Sequence, residues 1–156
     1  MSGYEELMSE AIAEAKLARD TNDVPVAAII VDAAGATIAI GRNERELKHD
    51  PTAHAEIVAI RKAAGQAGTW HLENTTLVVT LEPCTMCAGA ILQARIPRVV
   101  FGAWDEKAGA VGSVHDVLRD RRLPHRVEVI AGVLETECAA LLTGFFEERR
   151  QQPLDS

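Results

Sequence analysis

Residues 75–101 read TTLVVTLEPCTMCAGAILQARIPRVVF, and the order of elements within this stretch decides the fold. Thr75 to Thr80 is a β-branched, aliphatic run of strand length. Met86 to Ala94 carries Ala88, Ala90 and Ala94 and no proline, which predicts a short helix, and Pro97 stops it. Arg98 to Phe101 is again apolar and β-branched, a second strand. A strand, a helix and a strand in succession form a crossover unit, and a crossover of this kind joins parallel strands.

Working outward, Gly102 to Gly112 reads as a glycine-rich loop, Val127 to Ile130 as a strand and Glu135 to Arg150 as a final helix. Upstream, Val24 to Val31 is a buried-strand candidate opened by Pro25. Asp32-Ala33-Ala34-Gly35 is a hairpin turn, and Thr37 to Ile40 the returning strand. Gly41 to Asp50 reads as a polar loop closed by Pro51. Thr52 to Ala67 suits an alanine-rich helix ended by Gly65 and Gly68. Residues 4–20 place Leu7, Met8, Ile12, Ala15 and Leu17 at roughly helical spacing with acids between them, an amphipathic helix. Strands alternating with helices predict an α/β layered domain with part of its sheet parallel. There is no repeat, low-complexity tract or linker. The expected organisation is one domain over residues 1–150 and a disordered tail over 151–156.

The chain has 156 residues, 47% of them hydrophobic and 25% charged. That balance excludes a disordered, collagen-like or coiled-coil protein. No apolar run reaches the roughly 18 residues of a membrane span, and the start MSGYEELMSE has neither a cationic nor an apolar leader segment, so a cytoplasmic protein is expected. Three cysteines then read as thiols, ligands or nucleophiles rather than a disulfide framework. The net charge of −7 argues against a nucleic-acid partner when taken alone. Its distribution weakens that argument. Glu5, Glu6, Glu10, Glu14, Asp20 and Asp23 face only Lys16 and Arg19 in the first 23 residues, whereas Arg119, Arg121, Arg122 and Arg126 outnumber Asp116 and Asp120 in 115–126.

The chemistry concentrates at two predicted helix beginnings. Cys84 and Cys87, three apart at a helix start, suit either one metal ion or a thioredoxin-type redox pair, and the positive end of the helix favours thiolates in both cases. His54, 30 residues earlier, supplies the third ligand that two cysteines lack. No fourth stands out: Cys138 lies among Ala139, Ala140, Leu141 and Leu142 and reads as core. Three protein ligands leave an open position, the mark of a catalytic rather than a structural zinc. Zn²⁺ with two thiolates and a neutral imidazole sums to zero charge, which favours acidification of a bound water. Glu56 stands beside His54. Residues two apart point about 200° away from each other on an ideal helix, but at the first turn both reach a target lying off the helix end. A carboxylate there is placed to move protons; alone it would merely complement the helix dipole.

His54-x-Glu56 followed by Pro83-Cys84-x-x-Cys87 is the signature by which zinc-dependent nucleobase deaminases are defined. The chain resembles bacterial tRNA adenosine deaminases in DVPVAAIIV, GRNE, HDPTAHAEIVAIR, TLVVTLEPCTMCAGAILQARIPRVVFGAWDEKAGAVGS, HRVEVIAGVLETECAALLTGFF and EERR, spanning about Val24 to Arg150. The resemblance implies a three-layer α/β/α cytidine-deaminase-like fold with a five-stranded mixed sheet. It implies His54, Cys84 and Cys87 as ligands of one zinc ion per subunit and Glu56 as proton shuttle in the hydrolytic conversion of adenosine to inosine. It implies Asn43 as a base contact, Val26 as an apolar wall of the base pocket and the Ala55 N–H as a substrate donor. The implied substrate is the wobble adenosine of an arginine tRNA anticodon loop, everted to reach the pocket. Arg149 and Arg150 would grip the RNA, and a homodimer would share it. A deaminase of a free nucleobase or nucleoside is the alternative on the same fold. Two departures stand out: Ala27 replaces a glycine of the usual PVGA, and Trp104 occupies a loop position where a smaller or cationic residue is expected.

Overall fold

The computed structural model describes residues 3–151. Helix α1 (Gly3–Leu17) leads through a 3-10 turn (Ala18–Thr21) to strands β1 (Ala27–Val31) and β2 (Thr37–Arg42). The one-turn helix α2 (Arg45–Lys48) and helix α3 (Ala55–Ala67) follow. Then come β3 (Thr76–Leu81), α4 (Thr85–Gln93), β4 (Arg98–Ala103), β5 (Glu128–Ile130) and α5 (Glu135–Gln151). The strands form one sheet in the order β2-β1-β3-β4-β5. β1 is antiparallel to both β2 and β3, whereas β3, β4 and β5 run parallel. The five-stranded mixed sheet is therefore present, and the crossover read from residues 75–101 is its parallel half.

Alternation along the strands sorts the core into two layers. Ala28 and Ile30 of β1, Leu77 and Val79 of β3, and Val99 and Phe101 of β4 pack with Ala55, Ala59, Ala63, Ala88 and Ile91 of α3 and α4. Ile29, Val78 and Val100 face the other way, onto Met8 and Ala11 of α1 and Cys138 of α5. This is the three-layer α/β/α arrangement. Cys138 is buried as expected, and burial pushes its thiol up to about 12. β1 is buried along its whole length because it has sheet neighbours on both sides. Ala27 fits there without disturbance, its N–H donating to the Thr80 hydroxyl at 3.3 Å.

The hairpin turn is where the sequence puts it: Asp32 Oδ1 accepts the Ala34 and Ala36 N–H groups, and Gly35 takes the left-handed conformation at φ 85°. Other boundaries differ. The first strand starts at Ala27 rather than Val24, because Val26 N–H turns back to the Val24 carbonyl. The supposed loop 41–50 contains α2, whose first N–H groups, from Glu46 and Leu47, are capped by the distant Asp23 carboxylate. α3 starts at Ala55 rather than Thr52, because Thr52 is tied to Asp50 and His54 is extended. β4 runs through Ala103, into the segment read as loop. Gln151, assigned to the tail, closes α5, and the remaining tail residues 152–156 lie outside the described residues. No helix among the described residues is long and apolar enough to cross a membrane.

One glycine sets the distance between sheet and site. A Cβ on Gly41 of β2 would collide with the Ala55 carbonyl and the Ala59 backbone of α3. These are backbone atoms with nowhere to go, so Gly41→Ala must push the first turn of α3 outward. Overpacking of this kind costs about 1–3 kcal/mol. The unfolding free energy from denaturant titration should fall by that amount, and an unchanged value would mean that α3 is free to shift.

Candidate active site

His54 and Cys84 are the N-cap residues of α3 and α4, both in extended conformation (φ −65°, ψ 154° and φ −77°, ψ 178°). Neither side chain caps its own helix by a hydrogen bond. Both turn instead toward a common point. His54 Nδ1 lies 3.6 Å from Cys84 Sγ and 3.5 Å from Cys87 Sγ, and the three donor atoms all fall within 4.8 Å of one another. A tetrahedral ion with Zn–N near 2.05 Å and Zn–S near 2.3 Å holds nitrogen and sulfur about 3.5–3.6 Å apart. The donor set therefore fits zinc in both chemistry and spacing. A dithiol redox pair has no need of an imidazole equidistant from its sulfurs.

The electrostatics of the cluster point the same way. The Cys87 thiol hydrogen-bonds the Cys84 sulfur and pulls the Cys84 pKa down to about 3. The same contact, with burial, pushes Cys87 upward. The hydrogen bond that the His54 imidazolium donates to the Cys84 sulfur raises His54 above its ordinary value. Two sulfurs and an imidazole thus share protons in a space that accepts a cation. Glu56, in the first turn of α3, is buried, and burial drives its carboxyl pKa above the ordinary range against the opposing pull of its own backbone N–H and of His54. A carboxyl raised in this way is suited to giving and taking a proton.

These groups open onto a cavity of about 170 Å³ lined by Val24, Val26, Asn43, Arg45, Ala55, Asp105 and Ala108 beside the cluster. It lies at the carboxyl end of β3, next to the strand where sheet direction reverses, the usual ligand position in an open α/β sheet. The structure thus gathers Val26, Asn43, Ala55, His54, Glu56 and Cys84 of the sequence prediction around one cavity, with Cys87 behind it. Asn43 is nearly buried and fixed at both ends of its amide: Nδ2 donates to the Val24 carbonyl at 3.2 Å and Oδ1 accepts the Arg45 N–H at 3.2 Å. Arg149 and Arg150 are not in the cavity. They line a separate surface groove with Lys107, Leu142, Thr143 and Phe146, and the Arg149 guanidinium stacks 4.9 Å from the Phe145 ring. Lys107 lies between the cavity residues Asp105 and Ala108 in sequence, so one loop touches both surfaces. Trp104 rests edge-on against Phe101 at 4.9 Å and is partly exposed, so it packs on one side.

A larger concavity, of about 880 Å³, lies at the other end of the sheet between α1 and the β1–β2 turn. It is broad and acidic, and its one arginine, Arg98, is already bound to Tyr4 and Glu128. The smaller cavity holds the reactive groups. Sequence reasoning missed six of its lining residues: Val24, Arg45, Leu81, Glu82, Asp105 and Ala108. Glu82 carried a signal, an acid wedged between Leu81 and the Pro83-Cys84 pair at a strand end. Leu81 closes β3 and Arg45 opens the one-turn helix α2, and Val24, Asp105 and Ala108 come from loops, whose path no local pattern specifies.

The sequence model described as the cytidine and deoxycytidylate deaminase zinc-binding region matches residues 1–103. A Bacillus subtilis tRNA-specific adenosine deaminase is 46% identical over 152 residues, covering 97% of this chain and 94% of that protein. A Haemophilus influenzae tRNA-specific adenosine deaminase is 47% identical over 148 residues, covering 95% and 86%. A solved structure from work on A-to-I editing by tRNA:A34 deaminases superposes with a TM-score of 0.83 at 42% identity, over 86% of this chain and 97% of that one. Cavity, donor set and sequence agree: this chain belongs to the cytidine and deoxycytidylate deaminase family, in its tRNA-specific adenosine deaminase branch.

Proposed function

We propose that the chain hydrolyses the C6 amino group of adenosine at the wobble position of a tRNA anticodon loop, an arginine tRNA by its family, giving inosine and ammonia. The observation that carries this reading is the buried Glu56 carboxyl opening onto the same small cavity as a three-donor set with zinc spacing. We assign His54, Cys84 and Cys87 to one zinc ion per subunit. When bound, zinc supplies Lewis acidity that makes a water nucleophilic at neutral pH. Glu56 delivers a proton to N1 of the base as water adds to C6, and later carries a proton to the departing amine. Asn43, held by Val24 and Arg45, presents a fixed amide to the purine edge. We assign Val26, which lines the cavity, to the apolar side of the ring, and the Ala55 N–H, in the first turn of α3, to a donor role toward the substrate.

Pockets for whole drug-sized ligands run to about 300–1,000 Å³. A cavity of about 170 Å³ suits a single base, and for an everted nucleotide it would leave the sugar and phosphates outside. The Arg149–Arg150 groove provides cations and an aromatic face beyond the loop that carries Lys107. Dimeric assembly and a cytoplasmic location come from the family resemblance and belong to the same proposal.

The test is inosine formation in an anticodon stem-loop incubated with purified zinc-loaded protein, with free guanine, cytosine, adenine and adenosine run alongside. Inosine in the stem-loop supports the reading. An unchanged stem-loop with deamination of a free base or nucleoside would transfer the same chemistry to a small-molecule substrate.

A further inference from the structure

Glu82 is a buried acid with no cationic partner among the described residues, and the chemistry above does not use it. It sits just past β3, one residue before Pro83. Its Oε1 accepts the Asp105 N–H at 3.0 Å and the Ser113 hydroxyl. Its Oε2 accepts the Val111 N–H at 2.9 Å and the Ser113 N–H at 3.1 Å. Three of the four are backbone N–H groups, which can only donate, and they engage both carboxyl oxygens. The backbone adds two more ties beside it: Glu82 N–H to the Ala103 carbonyl at 2.9 Å and Ala110 N–H to the Pro83 carbonyl at 2.8 Å. A Cβ on the buried Gly109 would collide with the Glu82 carboxylate and the Asp105 carbonyl, so the loop lies against the carboxylate with no room to spare.

The loop fastened this way is the one that supplies Asp105 and Ala108 to the cavity. We propose that Glu82 is a positioning residue: its carboxylate latches residues 105–113 to the end of β3, so that the cavity wall at Asp105 and Ala108 is in place before substrate arrives. Glu82 thereby ties that wall to the segment that carries Cys84. Without the latch the loop samples open conformations, and substrate binding must pay for closing it. Apparent affinity then falls by the fraction of closed protein, while turnover of the bound complex survives. A purely global destabilisation has a different signature. It removes active molecules, lowering apparent kcat and leaving KM alone.

The experiment compares the wild-type protein with Glu82→Gln, Gly109→Ala and Ser113→Ala, all loaded with zinc. Glu82→Gln turns one acceptor into an amide donor facing donors. Gly109→Ala displaces the loop while leaving the acid intact. Ser113→Ala, at an exposed residue, removes a single donor and keeps the fold if the other two do not. The first readout is amide exchange in the free protein, which owes nothing to the substrate assignment. Amides of Asp105, Val111 and Ser113 should exchange about tenfold faster or more in Glu82→Gln and Gly109→Ala, less so in Ser113→Ala, with Ile29 and Val78 unchanged. The zinc content should equal that of the wild type. The second readout rests on the function proposed above: KM for the stem-loop should rise about tenfold with kcat within about threefold. Unchanged exchange at those three amides, or acceleration spread equally through β1 and β3 with KM unmoved, would overturn the latch. A wild-type protein inactive on the stem-loop would count against the substrate and leave the exchange result to decide the latch.

Discussion

Glu56→Ala is expected to keep one zinc per chain and to lose nearly all turnover. The three donor atoms come from His54, Cys84 and Cys87, so removing a carboxyl that is not among them leaves the ion's anchorage intact. What disappears is a buried carboxyl beside the donor set whose pKa burial has lifted. Positioned proton transfer contributes about 10²–10⁴ in rate. In the proposed mechanism one group serves two transfers, to N1 and to the leaving amine, so the loss should lie at the upper end of that range. The measurement is inosine formation per zinc-loaded chain, with metal content determined on the same sample. Full activity in the alanine variant would end the assignment of Glu56 as proton carrier. Loss of zinc together with activity would show instead that the carboxyl supports the ion.

Cys87→Ser should abolish both metal and activity. Cys87 is fully buried in the first turn of α4, and its sulfur stands 3.5 Å from His54 Nδ1. A serine hydroxyl occupies similar space but does not ionise near neutral pH, so the site would lose one of its two negative ligands. Two donors and one charge fewer hold zinc poorly. An ion that binds only the native state at about a thousandfold excess over its Kd adds about 4 kcal/mol. The wild-type protein should therefore melt well above Cys87→Ser, and stripping its zinc with a chelator should bring the two Tm values together. Stoichiometric zinc in the serine variant would remove Cys87 from the ligand set. A reversible Cys84–Cys87 disulfide in metal-free protein, with activity unaffected by chelation, would return the pair to redox chemistry.

How much of this was legible in the sequence varies by element. The parallel half of the sheet was legible in residues 75–101, because β-branched runs on either side of a short alanine-bearing segment allow few other arrangements. The hairpin at Asp32–Gly35 was legible because its turn chemistry is local: an aspartate accepts two N–H groups and a glycine takes positive φ. The donor set was readable from residue types and helix beginnings, since His54 and Cys84 lie at the two helix starts as expected, although as N-cap residues. α2 was not legible. Its four residues fall below any periodic signal, and its cap comes from Asp23, more than twenty residues away. Glu82 was passed over because its partners are backbone N–H groups of a loop whose path is set by tertiary structure alone. Val26 has both characters: it is buried in the core, as its apolar setting alone predicts, and it follows Pro25 outside the strand and borders the cavity.

The uncapped beginnings of α3 and α4 impose a trade-off on this chain. Asparagine, aspartate or serine at an N-cap strengthens a helix by about 1 kcal/mol over residues that do not cap. Positions 54 and 84 forgo that gain, because each spends its side chain on the donor cluster. Drift toward an ordinary cap at either place would make a sturdier helix and a dead enzyme, so selection for robustness and selection for chemistry pull these two residues in opposite directions.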